Sequence, residues 1–407
     1  MRVLIVGVGS RGDVAPYVAL GARLRAECHD VAIATHDTFA EMVAAAGLTL
    51  RTVSGDPRSL IRARMTPGIS DLERRRVMDG YLTGVGDDLA DAAQAGADVI
   101  LTCLGQTPLC LLLALAAGVP SVGVYLVPAV PTAQFPMPGS SSAEDGDNRA
   151  AGTRLLLRAR EVYADVLPVL ARRLGLSDAA HEQVWGRWLG TGEWPVCLGY
   201  SRAVVPRPAD WPGSVEVVGY WWPVTPPGWQ PPRILSDFLA AGPPPVFFGF
   251  GSMAVGSGEQ LGPVIRDAVR VAGVRAVVQA GWAQVAVEDD DVLTIGDVPH
   301  EWLFPRMAAA VHHAGAGTTG AVLRAGLPAV TVTVMADQPF WAERVHTLRA
   351  GPAPLPFADL SAQPLAAAIK AALDQPDYRD AAQRLGAVIR AEDGAGAVAR
   401  RLEKIVG

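Results

Sequence analysis

The chain begins with a glycine-rich loop that ends in a carboxylate. The loop reads GVGSRGD over residues 7–13 and follows an apolar run that predicts a strand. Its G-x-G-x-x-G spacing matches the dinucleotide fingerprint, and Asp37 stands where a ribose-binding acid would lie. Asp13, however, would occupy the helix N-terminus at which a pyrophosphate should bind. Three interpretations stay open: a dinucleotide site, a tight turn that needs small residues, and a carboxylate that acts on a hydroxyl group.

A second loop combines two histidines with small residues and threonines. It reads VHHAGAGTT, with a predicted strand before it and a predicted helix that begins near Gly317. Because side chains alternate along a strand, His312 and His313 face opposite sides, so one packs and the other can meet a ligand. The N–H groups of Gly317, Thr318 and Thr319 would point out of the first helical turn, where the helix dipole favours an anion. The loop predicts a diphosphate site, against the alternative of histidines that only pack.

Two further loops follow predicted strands and carry groups suited to sugar oxygens. Asp337 and Gln338 come after a predicted strand at 329–334, and an acid beside an amide offers acceptors and donors to vicinal hydroxyls. Asp337 would also cap the following helix, and both roles can hold together. The segment GFGSM at 249–253 presents the hydroxyl of Ser252 on a glycine turn, which suits a phosphate or sugar oxygen.

Short apolar runs alternate with helical patterns in both halves of the chain, which predicts parallel sheets covered on both faces. Between the halves, residues 206–232 contain eight prolines and are expected to form an extended linker. We therefore predict an N-terminal domain at 1–205, a C-terminal domain at 233–390 and a last helix at 391–407. Ligands of such sheets bind at the carboxyl ends of the strands, so two facing sheets would place a site in the cleft between them.

Composition excludes several classes of protein. The 407 residues are 50% hydrophobic and 19% charged, which argues against disorder, and the net charge of −6 gives no electrostatic footprint for nucleic acid. The four cysteines lack metal-type spacing and are expected to be buried free thiols of a reducing compartment. Prolines and a glycine interrupt the charge-free span Val99–Ala143, and its longest uninterrupted piece, Leu109–Ala117, is far short of the ~20 residues of a membrane helix. No signal peptide is evident, and we expect a cytoplasmic location.

At these four loops together the sequence resembles the GT-B glycosyltransferases of family 1, in the branch of sterol glucosyltransferases and vancomycin-type antibiotic glycosyltransferases. That branch has similar GSRGD, GFGS, HHxxAGT and DQP segments. The resemblance runs the full length and is best over residues 245–345. It implies an α/β fold with two Rossmann-like, doubly wound domains that face each other across a cleft. The N-terminal domain would bind the acceptor and the C-terminal domain the nucleotide sugar.

The resemblance assigns roles residue by residue. Asp13 would be the catalytic base, Arg11 would lie on the acceptor side, and Trp282 would replace the tryptophan that plant relatives have where Asp297 stands. The backbone of Val298 would face the nucleobase. The expected donor-binding residues, with His313 on the diphosphate and Asp337 and Gln338 on the sugar, are Ser10, Gly12, Gly251, Ser252, Trp282, Val298, His313, Gly315, Gly317, Thr318, Thr319, Asp337 and Gln338.

The acceptor is expected to be bound by the first domain, because the donor occupies the motifs of the second. After a predicted strand at 122–127, residues 128–138 include Phe135 and offer an apolar wall to a polycyclic or macrocyclic alcohol. The polar stretch 139–148 would act as a lid. Seven arginines between Arg51 and Arg76 allow a peripheral contact with acidic lipid, which we do not favour.

The implied reaction is transfer of a sugar from a UDP- or dTDP-linked donor to a hydroxyl of a lipophilic small molecule, with inversion. The acceptor would be an antibiotic-type aglycone, and a sterol or lipid is the alternative. No cofactor and no metal are expected, since the run Asp289–Asp291 is interpreted as a solvated turn. The alternatives from other classes are a nicotinamide- or flavin-dependent oxidoreductase and a non-catalytic accessory protein.

Overall fold

The chain divides into two compact units. The computed structural model describes residues 1–56, 70–140, 146–177, 179–190, 192–226, 228–251 and 258–407. The first unit comprises Met1–Arg202, Arg207–Val224 and Asp393–Gly407, and the second comprises Ala203–Pro206 and Thr225–Glu392.

The first unit is built on a parallel sheet with strand order β3-β2-β1-β4-β5-β6-β7. The strands are β1 (Arg2–Val6), β2 (Asp30–His36), β3 (Thr49–Val53), β4 (Val99–Thr102), β5 (Ser121–Tyr125), β6 (Val196–Leu198) and β7 (Val215–Val217). The inner strands are almost continuous runs of Val, Ile and Leu, as expected where helices cover both faces of a sheet.

The helices of the first unit connect these strands. They are α1 (Arg11–Ala26), α2 (Ala40–Ala45), α3 (Asp71–Gln94), α4 (Thr107–Ala117), α5 (Asn148–Val162), α6 (Val166–Arg173) and α7 (Ala180–Leu189). Ser10 and Asp13 form a capping box that starts α1 at Arg11. Pro16 is tolerated inside the helix.

The second unit contains a parallel sheet with strand order β10-β9-β8-β11-β12-β13. Its strands are β8 (Val246–Gly249), β9 (Ala276–Gln279), β10 (Val292–Ile295), β11 (Ala309–His312), β12 (Ala329–Thr333) and β13 (Leu355–Pro356). Its helices are α8 (Arg233–Ala240), α9 (Gly258–Ala272), α10 (His300–Leu303), α11 (Ala316–Arg324), α12 (Gln338–Thr347), α13 (Ala362–Asp374) and α14 (Pro376–Ala391).

The last helix, α15 (Gly394–Val406), returns to the first unit. Val398, Ala399 and Leu402 join the buried cluster that contains the core residues of α1 and β1. Arg23 of α1 donates to both carboxylate oxygens of Asp393, at 2.8 and 3.1 Å, and so fixes the start of the helix. The first unit is therefore completed by the end of the chain.

The proline-rich segment is folded where we expected an extended linker. It contains β7, and residues 207–224 belong to the first unit. The guanidinium group of Arg207 donates to the carbonyl oxygens of Val215, Pro208, Trp211 and Pro212. The carbonyls of Pro208 and Pro212 also accept from the backbone N–H groups of Trp211 at 3.4 Å and Val215 at 3.1 Å, so the segment is fixed by several hydrogen bonds. The prolines flank the strand without interrupting it.

The described cysteines are free, but they differ in burial. Cys103, Cys110 and Cys197 are buried, whereas Cys28 is exposed, so the expectation of a buried thiol is wrong at that position. Burial raises the pKa of Cys103 to about 11 and that of Cys197 to about 12, so both stay protonated at neutral pH. Among the described helices, none is long and apolar enough to cross a membrane.

Candidate active site

The carboxylate of Asp13 lies at the third position of α1, directly after the loop that follows β1. Its Oδ2 atom accepts from the backbone N–H and from the hydroxyl of Ser10, both at 2.8 Å. Asp13 itself is exposed, as are Arg11 and Gly12. The carboxylate is thus oriented from behind by the capping box while it remains open to solvent, which a proton acceptor for a substrate hydroxyl requires.

Two of the three glycines of this loop, Gly7 and Gly9, are explained by contacts within the chain. A Cβ atom on Gly7 would come within 2.8 Å of the ring of Tyr17, and one on Gly9 within 2.6 Å of Oδ2 of Asp13. Gly9 also has φ +147°, a backbone conformation that favours glycine. The carboxylate of Asp13 takes the place that a pyrophosphate would take in a dinucleotide site. Packing therefore explains two of the three fingerprint glycines, whereas a Cβ atom on Gly12 would meet only Oγ of Ser10, at 3.7 Å. Asp37 lies exposed after β2.

The predicted acceptor wall is held to the proline-rich segment within the first unit. The carboxylate of Asp210 accepts from the hydroxyl of Thr132 at 2.6 Å and from the N–H of Ala133 at 2.9 Å, and it pairs with Arg149. Although burial opposes the shift, these bonds lower the pKa of Asp210 to about 2. The half-buried ring of Phe135 packs edge-on against Trp211 at 6.1 Å. Within the predicted lid, residues 141–145 lie outside the described part.

In the second unit, the side chain of His313 lies between two glycines. β8 and β11 are neighbours, so the loops after them meet. A Cβ atom on Gly251 would come within 2.6 Å of Cε1 of His313, and one on Gly315 within 2.5 Å of its Nε2. Only glycine at both places leaves room for the ring, which stays partly exposed beside the start of α11.

The protonation of His313 is set by its surroundings. Loss of solvation on burial lowers the pKa of His313, and contact of Nδ1 with the carbonyl oxygen of Gly249 at 3.4 Å opposes the shift. The ring is therefore neutral at pH 7 without a ligand. A carbonyl oxygen can only accept, so Nδ1 carries the proton in the neutral ring and Nε2 is left with its lone pair. An anion beside Nε2 would draw a second proton onto the ring.

The start of α11 offers backbone N–H groups, but one residue earlier than predicted. Gly315 is the N-cap with φ −65° and ψ 146°, so the first helical residues are Ala316, Gly317 and Thr318, whose N–H groups have no partner within a helix. The prediction that the N–H of Thr319 points toward an anion is wrong. This N–H donates to the carbonyl of Gly315 at 2.9 Å, and the side chain of Thr319 is fully buried.

The nucleobase candidates lie at the ends of neighbouring strands. The backbone N–H of Trp282, after β9, donates to the carbonyl of Gly251 at 3.3 Å, which places the backbone of this partly exposed residue next to the turn that contacts His313. Val298 follows β10 and has a buried side chain, so only its backbone can face a base. Asp297 accepts from the amide of Gln279 at 3.0 Å. Ser252 lies outside the described residues.

Asp337 and Gln338 follow β12 and are both held by contacts that the sequence did not reveal. The Oε1 atom of the buried Gln338 accepts from the N–H groups of Val334 at 2.7 Å and Met335 at 3.2 Å, so its NH₂ group is the part left to contact a sugar. Asp337 makes no capping bond to the helix, and instead its Oδ2 accepts from the indole of Trp341 at 2.8 Å. We missed Trp341, although its spacing of four residues along a helix was a usable signal.

The acidic run Asp289–Asp291 forms a turn. Asp289 pairs with Arg270 at 2.7 Å and accepts from the N–H of Asp291 at 3.1 Å. The bond from Asp291, together with Arg270, lowers the pKa of Asp289. Over the described ranges, no three His, Cys, Asp or Glu side chains form a group that could hold a metal ion.

The structure thus brings the candidate residues into two sets. Ser10, Arg11, Gly12 and Asp13 lie together in the first unit, with Phe135 on a separate segment. In the second unit, the loops after β8, β9 and β11 bring Gly251, Trp282, His313 and Gly315 together. Asp337 and Gln338 follow β12, which is the neighbour of β11 in the sheet.

Two family models match the chain. The C-terminal domain of the erythromycin biosynthesis protein CIII-like family matches residues 272–405, and the N-terminal domain of glycosyltransferase family 28 matches residues 3–80. Both matches cover the loops described above: the first contains the His313 and Asp337 loops, and the second contains Asp13.

Individual relatives extend over almost the whole chain. It is 35% identical to an O-mycaminosyltylonolide 6-deoxyallosyltransferase of Streptomyces fradiae, over 97% of this chain and 95% of the relative. It is 31% identical to the sterol 3-beta-glucosyltransferase UGT80B1 of Arabidopsis thaliana, over 98% of this chain and 67% of the relative. For a second sterol 3-beta-glucosyltransferase of that plant, UGT80A2, the identity is 32% and this chain spans 64% of the relative.

Solved structures agree on the fold. The glycosyltransferase of kitacinnamycin superposes with a TM-score of 0.71 at 21% identity, covering 100% of this chain and 99% of that one. The glycosyltransferase VinC, solved in complex with dTDP, superposes with a TM-score of 0.68 at 20% identity, again covering 100% and 99%. At such identities the likeness shows the fold alone.

Proposed function

This chain belongs to the GT-B glycosyltransferases of family 1, in the branch of sterol and antibiotic glycosyltransferases, and we propose that it moves a sugar from a UDP- or dTDP-linked donor to a hydroxyl of a lipophilic aglycone with inversion. The observation that carries the proposal is the ring of His313 between Gly251 and Gly315, beside the first amides of α11. That arrangement suits a leaving diphosphate.

The geometry supports one mechanism in the second unit. As the bond to the sugar breaks, negative charge grows on the diphosphate. The N–H groups of Ala316, Gly317 and Thr318 and the helix dipole stabilise that charge without a metal ion. A protonated His313 would add a positive charge at the same place. The NH₂ group of Gln338 and the carboxylate of Asp337, oriented by Trp341, would hold the sugar hydroxyls.

In the first unit, Asp13 would accept the proton of the attacking hydroxyl. An alcohol is a weak nucleophile until its proton begins to leave, and an exposed, oriented carboxylate can take the proton as the new bond forms. Attack from the side opposite the diphosphate inverts the anomeric carbon. No other group is needed to balance the step: the hydroxyl proton goes to Asp13, and the electron pair of the broken bond leaves with the diphosphate.

The acceptor class rests on the relatives and on the first unit. O-mycaminosyltylonolide and sterols, which the relatives' names give as substrates, are lipophilic alcohols. Residues 128–138 of this chain, which lie in the same unit as Asp13, offer an apolar surface around Phe135. We favour an antibiotic-type aglycone, since the Streptomyces relative is matched over 95% of its length. The buried free thiols are typical of a reducing compartment, which supports a cytoplasmic location.

A panel of nucleotides tests the proposal. UDP, dTDP, NAD and FAD are each added to the protein, and the melting temperature is measured. We expect UDP or dTDP to raise it, since a ligand at 100 times its Kd stabilises by about 2.7 kcal/mol. NAD and FAD should leave it unchanged, and His313→Asn should lose most of the nucleoside diphosphate effect. Stabilisation by NAD or FAD alone would favour an oxidoreductase.

A further inference from the structure

Buried polar side chains lie under the donor loop of the second unit. His312 and Thr331 are both fully buried and stand opposite each other in the β11–β12 ladder, so they share a face of the sheet. Val311, Val330 and Val332 point the other way, into the cluster formed with α9 and α13. Thr319, also fully buried, lies on α11, which contacts both strands.

These side chains lack the partners that buried polar groups normally have. Nε2 of His312 and the hydroxyl oxygens of Thr319 and Thr331 make no hydrogen bond in the described part of the chain. Most buried polar atoms in proteins are hydrogen-bonded, and leaving one unpaired lowers stability. A histidine kept at such a place needs a reason beyond packing, because a leucine would fill the space without an unpaired N–H group.

The other ring nitrogen of His312 supplies that reason. Nδ1 accepts from the backbone N–H of Ala314 at 3.1 Å. Burial, with smaller contributions from His313 and His300, lowers the pKa of His312 to about 3, so the ring is neutral at working pH. An accepting Nδ1 in a neutral ring places the proton on Nε2. One tautomer of the His312 ring is therefore fixed, and it is the one whose Nδ1 atom can accept from the N–H of Ala314.

Ala314 is the residue at which the chain turns from β11 into α11. Its φ of +59° is left-handed, which is unfavourable for a residue with a Cβ atom, and it is fully buried. It stands between His313 and the N-cap Gly315. Any relaxation of this turn would therefore rotate both the His313 ring and the first amides of α11.

We propose that His312 is a positioning residue for donor binding: its Nδ1 atom holds the left-handed turn at Ala314, and that turn aims His313 and the N-terminus of α11 at the diphosphate. The inference rests on the proposed function of this loop. Groups aimed before the ligand arrives need no reorganisation when it binds, which increases their effect on a developing charge.

Two substitutions of His312 separate this role from simple packing. In His312→Asn, the side-chain oxygen can stand where Nδ1 stands and still accept from Ala314. In His312→Gln, the oxygen lies one bond farther out, near the position of Nε2, and cannot. Thr331→Val is the matched control, since it removes a buried hydroxyl from the neighbouring strand position without touching Ala314.

Isothermal titration with UDP and with dTDP gives the first readout. We expect His312→Asn and Thr331→Val to bind the better of the two nucleotides as the wild type does. His312→Gln should bind it about 10- to 100-fold more weakly, the range for loss of an outer partner that orients a ligating side chain. Wild-type affinity in His312→Gln, or equal losses in both His312 variants, would overturn the inference.

Hydrogen exchange at the amide of Ala314 gives a second readout that needs no ligand. Exchange should be slow in the wild type and in His312→Asn and fast in His312→Gln, whereas equal rates in the two variants would contradict the inference. If the wild type binds neither UDP nor dTDP, the proposed function fails, and the exchange rates still decide whether His312 holds the turn.

Discussion

The carboxylate of Asp13 accepts hydrogen bonds from Ser10 and is also the proposed proton acceptor. One substitution can separate these two roles. Asp13→Asn keeps an oxygen that can accept from the N–H and hydroxyl of Ser10, so α1 should still begin at Arg11. The amide cannot accept the acceptor's proton. We expect kcat to fall by about 10²- to 10⁴-fold, with the Kd for UDP or dTDP nearly unchanged.

Steady-state kinetics and the melting temperature check this expectation together. Ser10→Ala, which removes one of the two bonds to Oδ2 and leaves the carboxylate in place, is the comparison for the capping bond, and its Kd for UDP or dTDP separates that effect from the expected contact of Ser10 with the donor. An Asp13→Asn variant with near-normal turnover would remove Asp13 from the mechanism.

His313 makes nucleotide binding depend on pH. Its pKa is lowered in the free protein and should rise when a diphosphate lies beside Nε2. A group whose pKa rises on binding takes up a proton, so the affinity is greatest below the free pKa and weakens as the pH increases through the bound pKa. We expect wild-type protein to take up more protons with dTDP or UDP near pH 6.5 than His313→Asn does.

Titrations in buffers with different ionisation enthalpies measure that uptake. The comparison with His313→Asn cancels the titration of the nucleotide's own terminal phosphate. Equal uptake in the two proteins would show that His313 stays neutral in the complex.

At the scale of elements, the donor loop depends on the absence of a side chain at Gly315. The backbone there, at φ −65° and ψ 146°, is allowed for any residue, so Gly315→Ala introduces only the contact of its Cβ atom with Nε2 of His313 at 2.5 Å. We expect the Kd for UDP or dTDP to rise about tenfold or more, a loss of ~1.4 kcal/mol.

Gly186→Ala serves as the control for this prediction, because a Cβ atom on Gly186, in α7 of the first unit, would meet nothing within 4 Å. Titration calorimetry and thermal unfolding of both variants separate binding from stability. Unchanged nucleotide affinity in Gly315→Ala would mean that the His313 ring can move without consequence.

Element by element, the sequence predicted what depends on local patterns. The strand predicted at 329–334 is observed as β12 (Ala329–Thr333), since it is a short apolar run that ends next to a polar loop. The strand β7 was missed, because the prolines around it predict an extended linker and the bonds of Arg207 that fix the segment form only in the folded chain. Trp341 behind Asp337 and the close approach of Gly251 to His313 depend on tertiary contacts that no local pattern contains.

At the scale of the whole molecule, donor and acceptor should depend on different units. The ring of Phe135 belongs to the first unit, and Gly315 and His313 belong to the second. Phe135→Ala should raise the KM for the acceptor and leave the KM for the donor unchanged, since it removes apolar surface from the acceptor wall alone. If only the donor kinetics respond, or if a hydrophilic sugar is the preferred acceptor, the acceptor wall lies elsewhere.

Phe135 also packs against Trp211, so the substitution requires a control for stability. Loss of an aromatic pair alone lowers the free energy of unfolding by about 0.5–1.5 kcal/mol. Phe135→Leu keeps apolar surface while it loses the edge-on aromatic contact. A rise in acceptor KM in Phe135→Ala that exceeds the rise in Phe135→Leu assigns the effect to lost apolar surface.

The most direct test of the account is the stereochemistry of transfer in the presence of EDTA. The chain is incubated with UDP-glucose or dTDP-glucose and a panel of macrocyclic, polycyclic and sterol alcohols, and products are detected by mass spectrometry. The anomeric configuration is then read by NMR. We predict a product that gains one sugar with the configuration opposite to that of the donor, at a rate that EDTA does not change. Retention of configuration, or transfer that requires added Mg²⁺ or Mn²⁺, would contradict a mechanism built on Asp13 and the N-terminus of α11.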